Sequence, residues 1–354
     1  MHYPKSVALM RSYWQFVLRL IALSVALLPL SMNLLATNST HELDIGIVVE
    51  PVMLAADATD IERSFRNSEA QLIAVLLKES LEFSQQWGAV RVFEQPSTLP
   101  HLLCVVTLEQ SDGEQFSLSV SARAVSGRLV LDTVYRYATT TDDYLTDDDP
   151  YQAVLDQFAG ELGAAVQQAS LDAVRLQTIS ELRYARLLSD AFAGYLADNG
   201  ELGEWNLVRV PAANDPMLAR INRLRDYEIL FVDSIDEQRV EQKNQLMPAY
   251  TLWRRSSREQ LIWLRDRSER LAQRQSDRGQ SEFVRLNSAY ATYRAYKIHQ
   301  QELYELVVEL ESEGRATVVE TDEAVYKLSG TLEAQTREWQ ATLATIFALE
   351  NPTQ

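Results

Sequence analysis

Apolar and polar residues alternate through Phe116, Leu118 and Val120 and again through Leu129, Leu131, Thr133 and Tyr135. That is the period of a strand with one buried and one wet face. The turn pairs Asp112-Gly113 and Ser126-Gly127 divide these runs from each other and from the apolar run "LLCVVTLEQ", which predicts three strands joined by hairpins. Upstream, "LDIGIVVEPVML" is apolar on both faces and reads as a strand. From Asp60 to Trp87 the spacing changes to three and four residues, through Ile61, Phe65, Leu72, Val75, Leu76, Leu81 and Phe83, and Gly88 stops the run. A helix is expected there. "AVRVFEQ" follows as a short strand closed by Pro96 and Pro100, and the meander leads into a helix from Pro150 to about Ser170. The order predicts an α+β fold that begins with a small N-terminal antiparallel-sheet/helix sandwich over residues 40–170.

Beyond Ser170 the pattern is helical, apart from "WNLVRVPAAND" (205–215), which reads as one short strand or an extended loop. Asp215-Pro216 supplies a cap and a first-turn proline, Pro248 is expected to break a helix, and "SDRGQS" separates two more. Two heptad seams follow: Phe283, Leu286, Tyr290, Tyr293, Leu303, Leu306 and Leu310, then Val325, Leu328, Leu332, Trp339 and Ile346. They predict two long helices joined near Gly314, a long C-terminal helical hairpin closing a larger all-α helical bundle over residues 171–354.

The N-terminus adds a compartment. Residues 1–39 contain Arg11 and Arg19 ahead of an apolar run from Leu20 to Ala36, interrupted by Pro29 and Asn33, with Met10 as the expected start. The order is that of an export signal, cleaved near Thr37 to Ser39 or retained as an inner-membrane anchor through residues 10–36. The predicted location is the bacterial periplasm. The single cysteine, Cys104, forbids an internal disulfide and lies in an apolar strand, where a buried thiol is expected in preference to a reactive one. A net charge of -17 on 354 residues argues against nucleic acid as a partner, while a 46% hydrophobic share supplies a core for two domains.

Candidate chemistry is sparse. The run "TTTDDYLTDDDPYQAVLDQF" (139–158) concentrates aspartates, but it lacks the alternating ligands and turning glycine of a calcium loop. Asp149 before Pro150, with Asp147 and Asp148 beside it, reads as a helix cap and a solvated junction. The histidines His2, His41, His101 and His299 are isolated, and no zinc, G-x-S-x-G or phosphate-loop motif is present. No cofactor, metal ligand or catalytic residue is assigned. Tyr290 and Tyr293 are expected in the helix seam, with Tyr296 off it.

The distinctive surface feature is a run of nine arginines, Arg254, Arg255, Arg258, Arg265, Arg267, Arg270, Arg274, Arg278 and Arg285, against five acids over the same stretch. It is read either as a solvated helix face with pairs such as Asp266 and Arg270, or as a docking face for an anionic partner. Trp253 and Trp263 on the same segment add to the second. Together these features predict a non-enzymatic periplasmic accessory or scaffold that contacts an envelope protein or an anionic envelope component. The alternative is a glycan-acting hydrolase with a carboxylate pair between the two domains, which needs no local motif.

Overall fold

A computed structural model describes residues 42–146, 149–199, 203–212, 214–273, 282–312, 315–322 and 324–350. Five strands, β1 (Ile45–Glu50), β2 (Val90–Val92), β3 (Leu102–Ser111), β4 (Gln115–Ala124) and β5 (Leu129–Ala138), form one sheet in the order β2-β1-β3-β4-β5. The fold is mixed α+β, and its sheet is mixed too. β1 runs parallel to both β2 and β3, and only the meander β3-β4-β5 is antiparallel. The expected antiparallel pairing holds for the meander and not for the pairings of β1, for a topological reason. Helix α1 (Asp60–Phe83) carries the chain back across the sheet, so β2 starts at the same end as β1. The three- and four-residue turns between β3, β4 and β5 can only reverse the chain, which keeps the meander antiparallel.

Strand alternation decides which side chains form the core. Ile47, Cys104 and Ala122 stand in register across β1, β3 and β4, and all three are fully buried. Burial pushes the Cys104 thiol up to about 12, the inert apolar role expected of it. α1 starts with a complete capping box, Thr59 with Glu62, and buries Phe65, Leu72, Ile73 and Leu77. Beside it lies α2 (Gln152–Ala169), whose Phe158 meets Tyr135 of β5 edge to face with ring centroids 6.0 Å apart. Each such side chain contributes about 2–3 kcal/mol on leaving water.

The remainder begins with α3 (Ala173–Leu188) and a small hairpin, β6 (Leu196–Asn199) with β7 (Glu204–Leu207). Then comes α4 (Pro216–Gln273), 58 residues long and roughly 87 Å at 1.5 Å per residue. Pro248 lies inside this helix and does not break it. Leu246, Tyr250 and Trp253, on both sides of the proline, are buried, and this packing outweighs the roughly 3 kcal/mol an interior proline costs. α5 (Glu282–Ser312) returns along α4 and meets α1 through Leu303, Val307 and the Tyr304–Phe65 contact.

The helical hairpin expected near Gly314 is replaced by a β-hairpin, β8 (Thr317–Glu320) with β9 (Val325–Leu328), before α6 (Leu332–Glu350). Val325 and Leu328 therefore belong to a strand and not to a helix seam. Valine at 318, 319 and 325 with Thr317 and Tyr326 favours a pleated surface over a helix. The hairpin of long helices does exist, between α4 and α5. Its register also departs from the expected seam: Tyr290 and Tyr293 are exposed, whereas Tyr296 packs against the core. Leu303 and Leu306 of the expected seam do face the body, and Tyr296 and Val307 complete the stripe in place of Tyr290 and Tyr293.

α4 is fastened to the sheet by buried charge. Asp236 accepts from the Val92 N–H at 3.0 Å, Arg239 donates to the Val92 carbonyl at 2.9 Å, and Lys78 donates to the Val90 carbonyl at 2.7 Å. Side chains thus complete the open edge of β2 as a sixth strand would. The buried apolar residues form a single connected cluster running from Leu43 to Leu343.

Candidate functional site

The arginine segment divides into an anchor and an arm. Arg254 is fully buried and makes a two-pronged ion pair with Asp149, Nη2 to Oδ2 at 2.7 Å and Nη1 to Oδ1 at 3.2 Å. Its guanidinium also lies over the rings of Tyr151 and Tyr250, at 4.6 and 4.4 Å. Burial works against its charge, and Asp149 more than compensates, so its pKa rises above the usual arginine value. Arg254 therefore leaves the docking face proposed from sequence. The physical reason is position: residue 254 falls on the stripe of Leu246, Tyr250, Trp253 and Ser257, all of which are buried.

The same contact revises the aspartate run. Asp149 is not a solvated cap: its Oδ1 accepts from the Tyr151 N–H at 2.8 Å and its side chain is buried against Arg254. α2 itself starts later, at Gln152, with Tyr151 as a cap that makes no side-chain bond. Asp142 and Asp143 open a short 3-10 turn in which Asp143 accepts from the Thr140 hydroxyl and from Tyr137. Partial burial acts to raise the Asp143 carboxyl, and the hydrogen bonds from Thr140 and Tyr137 hold it below the usual range. Asp147 and Asp148 lie outside the described residues. Next to this junction the β3–β4 turn rests on α4. Gly113, at φ +86°, sits where a Cβ would fall 2.1 Å from the Arg254 carbonyl oxygen, so only glycine permits the approach.

Outward of Ser257 on α4 and of Leu303 on α5, no described side chain is buried. Contact with the sheet narrows to the ion pair of Arg265 with Glu114 of the β3–β4 turn. Arg255 pairs with Glu259 and Arg270 with Asp266, both as exposed helix neighbours. Such pairs are worth less than about 0.5 kcal/mol. Arg258 is half-buried. Arg267 stacks over Trp263 at 5.2 Å and has no carboxylate partner among the described residues. Arg274 and Arg278 fall outside the described residues, as does the side chain of Arg285. The arm thus carries exposed guanidinium groups beside Trp263, Leu264, Tyr290 and Tyr293.

At the inner end of the arm a cleft of about 610 Å³ opens at the carboxyl ends of β1 and β2, between α1, α4 and the start of α6. This is where parallel strands commonly present ligand sites. Its charges are matched: Asp60 with Arg63 and Glu94 with Arg239 within the lining, and Lys243 and Glu333 with Glu79 and Arg337 just outside it. Burial lifts the Glu94 carboxyl above its ordinary range and Arg239 opposes it. The carboxylates that line the cleft are therefore engaged in ion pairs. No local motif announces this cleft, because its walls come from segments as far apart as Val49 and Glu333.

The buried histidine is structural. His101 Nδ1 accepts from the Asp44 N–H at 2.8 Å, which places its proton on Nε2, facing Gln177 at 2.7 Å. His299 contacts Glu302 on the exposed side of α5. Among the described residues no group of three His, Cys, Asp or Glu could hold a metal ion, and no helix is long and apolar enough to cross a membrane. The segment 10–36 lies outside those residues. A scan of protein-family models finds no match to the chain, and a search of curated proteins finds none either. The functional reading therefore rests on this geometry.

Proposed function

We propose that the protein is a non-enzymatic accessory or scaffold of the bacterial cell envelope, exported through residues 10–36, that holds an anionic envelope component or protein with the α4–α5 arm. The observation that carries this reading is the exposure of arginines and aromatics on an arm whose inner end is locked. Arg255, Arg265 and Arg270 remain 54%, 52% and 57% exposed, and Arg267 lacks a carboxylate partner among the described residues. Guanidinium binds carboxylate and phosphate through two parallel hydrogen bonds, and the adjacent rings offer apolar contact. Elsewhere the protein is strongly acidic, which repels anions from every other surface and favours this one. In the same reading, residues 40–170 form the sheet-bearing platform and residues 171–354 the helical part that carries the arm.

The test is a crosslinking pull-down from envelope extracts at low and high salt, with a variant in which Arg267, Arg270 and Arg274 become Glu. The variant is expected to keep its helix content and to lose the partner that the wild type releases at high salt. Equal capture by both proteins would sink the docking reading. Recovery of the full-length chain from the cytosol of a Gram-negative host would sink the envelope location.

A further inference from the structure

The two edges of the five-stranded sheet are finished differently. Side chains of α1 and α4 close the β2 edge. At the other edge, nine of the ten residues of β5 pair with β4 alone, the register passing over Val130, and among the described residues no other group hydrogen-bonds to their main chain. A long open strand is a template for another chain, and proteins usually blunt it with charges of one sign, bulges or cover. Past the irregularity at Val130, β5 pairs without a break from Leu131 to Ala138, and it places Asp132 and Arg136 two residues to either side of Val134 on the wet face. Val134 is 44% exposed. Their neighbours on β4 are Ser121 and Ser117, and neither charge is paired with another described residue.

We propose that β5 is a homodimer interface, in which two copies pair their β5 strands antiparallel about a two-fold axis at Val134 and join their sheets into one. The sequence of the strand is self-complementary in that register. Asp132 of each copy stands opposite Arg136 of the other, and Val134 meets its own equivalent. On the core face Leu131 falls opposite Tyr137 and Thr133 opposite Tyr135, which continues the side-chain types already paired there. A slip of one residue would turn these faces over, and a slip of two would set Asp132 against Val134 or Ala138. Opposite charges across strands stabilise and like charges destabilise, so the charges select the register. An interface that presents the same patch from both partners is what two-fold symmetry requires. The occupant follows from this complementarity: a second copy satisfies both charges at once.

The proposal is tested in the full chain, whose one native cysteine, Cys104, is fully buried. Val134→Cys is expected to give a disulfide-linked dimer under mild oxidation. Leu129→Cys is not, because in this register the two copies of residue 129 lie roughly 33 Å apart at 3.3 Å per residue. By analytical ultracentrifugation, Arg136→Asp and Asp132→Arg should each weaken the dimer about tenfold, since each sets like charges opposite one another twice per interface. The combined swap, or a mixture of the two single variants, should restore it. A wild-type chain that sediments as a monomer overturns the proposal, as do equal crosslinking through residues 129 and 134 and a swap that fails to rescue. If a charge variant does not fold, the two cysteine variants decide the question alone.

Discussion

Arg254 shows how much one side chain changes when its burial is known. On an exposed helix face its loss would cost a few tenths of a kcal/mol. Fully buried, paired with Asp149 and stacked on Tyr151 and Tyr250, it leaves an uncompensated carboxylate in the core when removed. Arg254→Ala is therefore expected to destabilise the protein by about 3–5 kcal/mol in urea unfolding, and Asp149→Ala by a similar amount, against about 1 kcal/mol for a lost cap alone. Replacing both by apolar residues, Asp149→Leu with Arg254→Met, should cost less than the sum, because no charge is then stranded. Glu228 gives a pH test of the same physics. Burial raises its carboxyl above the ordinary 4.5. Above that pH the unfolded chain releases a proton that the native state keeps, so this group's contribution to stability falls as pH rises toward its native value and then levels off. Glu228→Gln removes that descent. Unfolding curves at several pH values from 4 upward should show the variant gaining on the wild type as pH rises, and a constant gap would refute the assignment.

Among the elements, α4 departs furthest from its local sequence. Its 58 residues contain an exposed interior proline and many charges, so its continuity rests on packing of its buried face more than on local propensity. Three buried arginines hold it: Arg225 donates to the Leu99 carbonyl, Arg239 to that of Val92, and Arg254 to Asp149. Pro248 sits between the second and third of these anchors. It removes one main-chain hydrogen bond and crowds the preceding turn, yet the anchors on both sides fix the helix direction. Pro248→Ala should restore the bond and raise stability by about 1–3 kcal/mol, read as a higher urea midpoint with an unchanged slope. A loss of stability would mean that the backbone geometry proline imposes at 248 is needed to bring Tyr250 and Arg254 onto the sheet. β2, only three residues long, depends on this helix in turn, because Asp236 and Arg239 satisfy its outer edge.

In the whole molecule, the sheet and the helices share one buried cluster, so no apolar surface is complete until both are in place. Trp87, beside the sheet, and Trp339, stacked on Phe231 of α4, are both buried in it. Unfolding should therefore be a single cooperative transition, with tryptophan fluorescence and far-ultraviolet circular dichroism superimposing in urea. Two separated transitions would show that residues 40–170 and 171–354 unfold as independent units. The arm is the exception to this cooperativity. It has no buried side chain among its described residues, so hydrogen exchange there should be faster than anywhere else in α4 and α5.

The alternation in "EQFSLSVSARAV" and "RLVLDTVYRYAT" fixed the meander and its wet face, because a strand's side-chain period is set by its own backbone. The three and four residue spacing of α1 and α2 fixed those helices for the same reason. Asp215 before Pro216 marked a helix start because a cap involves only neighbouring residues. The direction of β2 against β1, the continuation of α4 through Pro248, the strands in place of a helix turn at 317–328, and the inward turn of Arg254 were decided elsewhere. Each depends on a surface brought in from far along the chain: Val92 against Asp236, Asp149 against Arg254, Gln335 against Thr317. A sequence pattern specifies which side of an element must leave water; which partner it meets, and whether a charge on that side becomes an anchor or a docking group, is set by tertiary packing, where removing one partner of a buried ion pair costs several times what it costs on the surface.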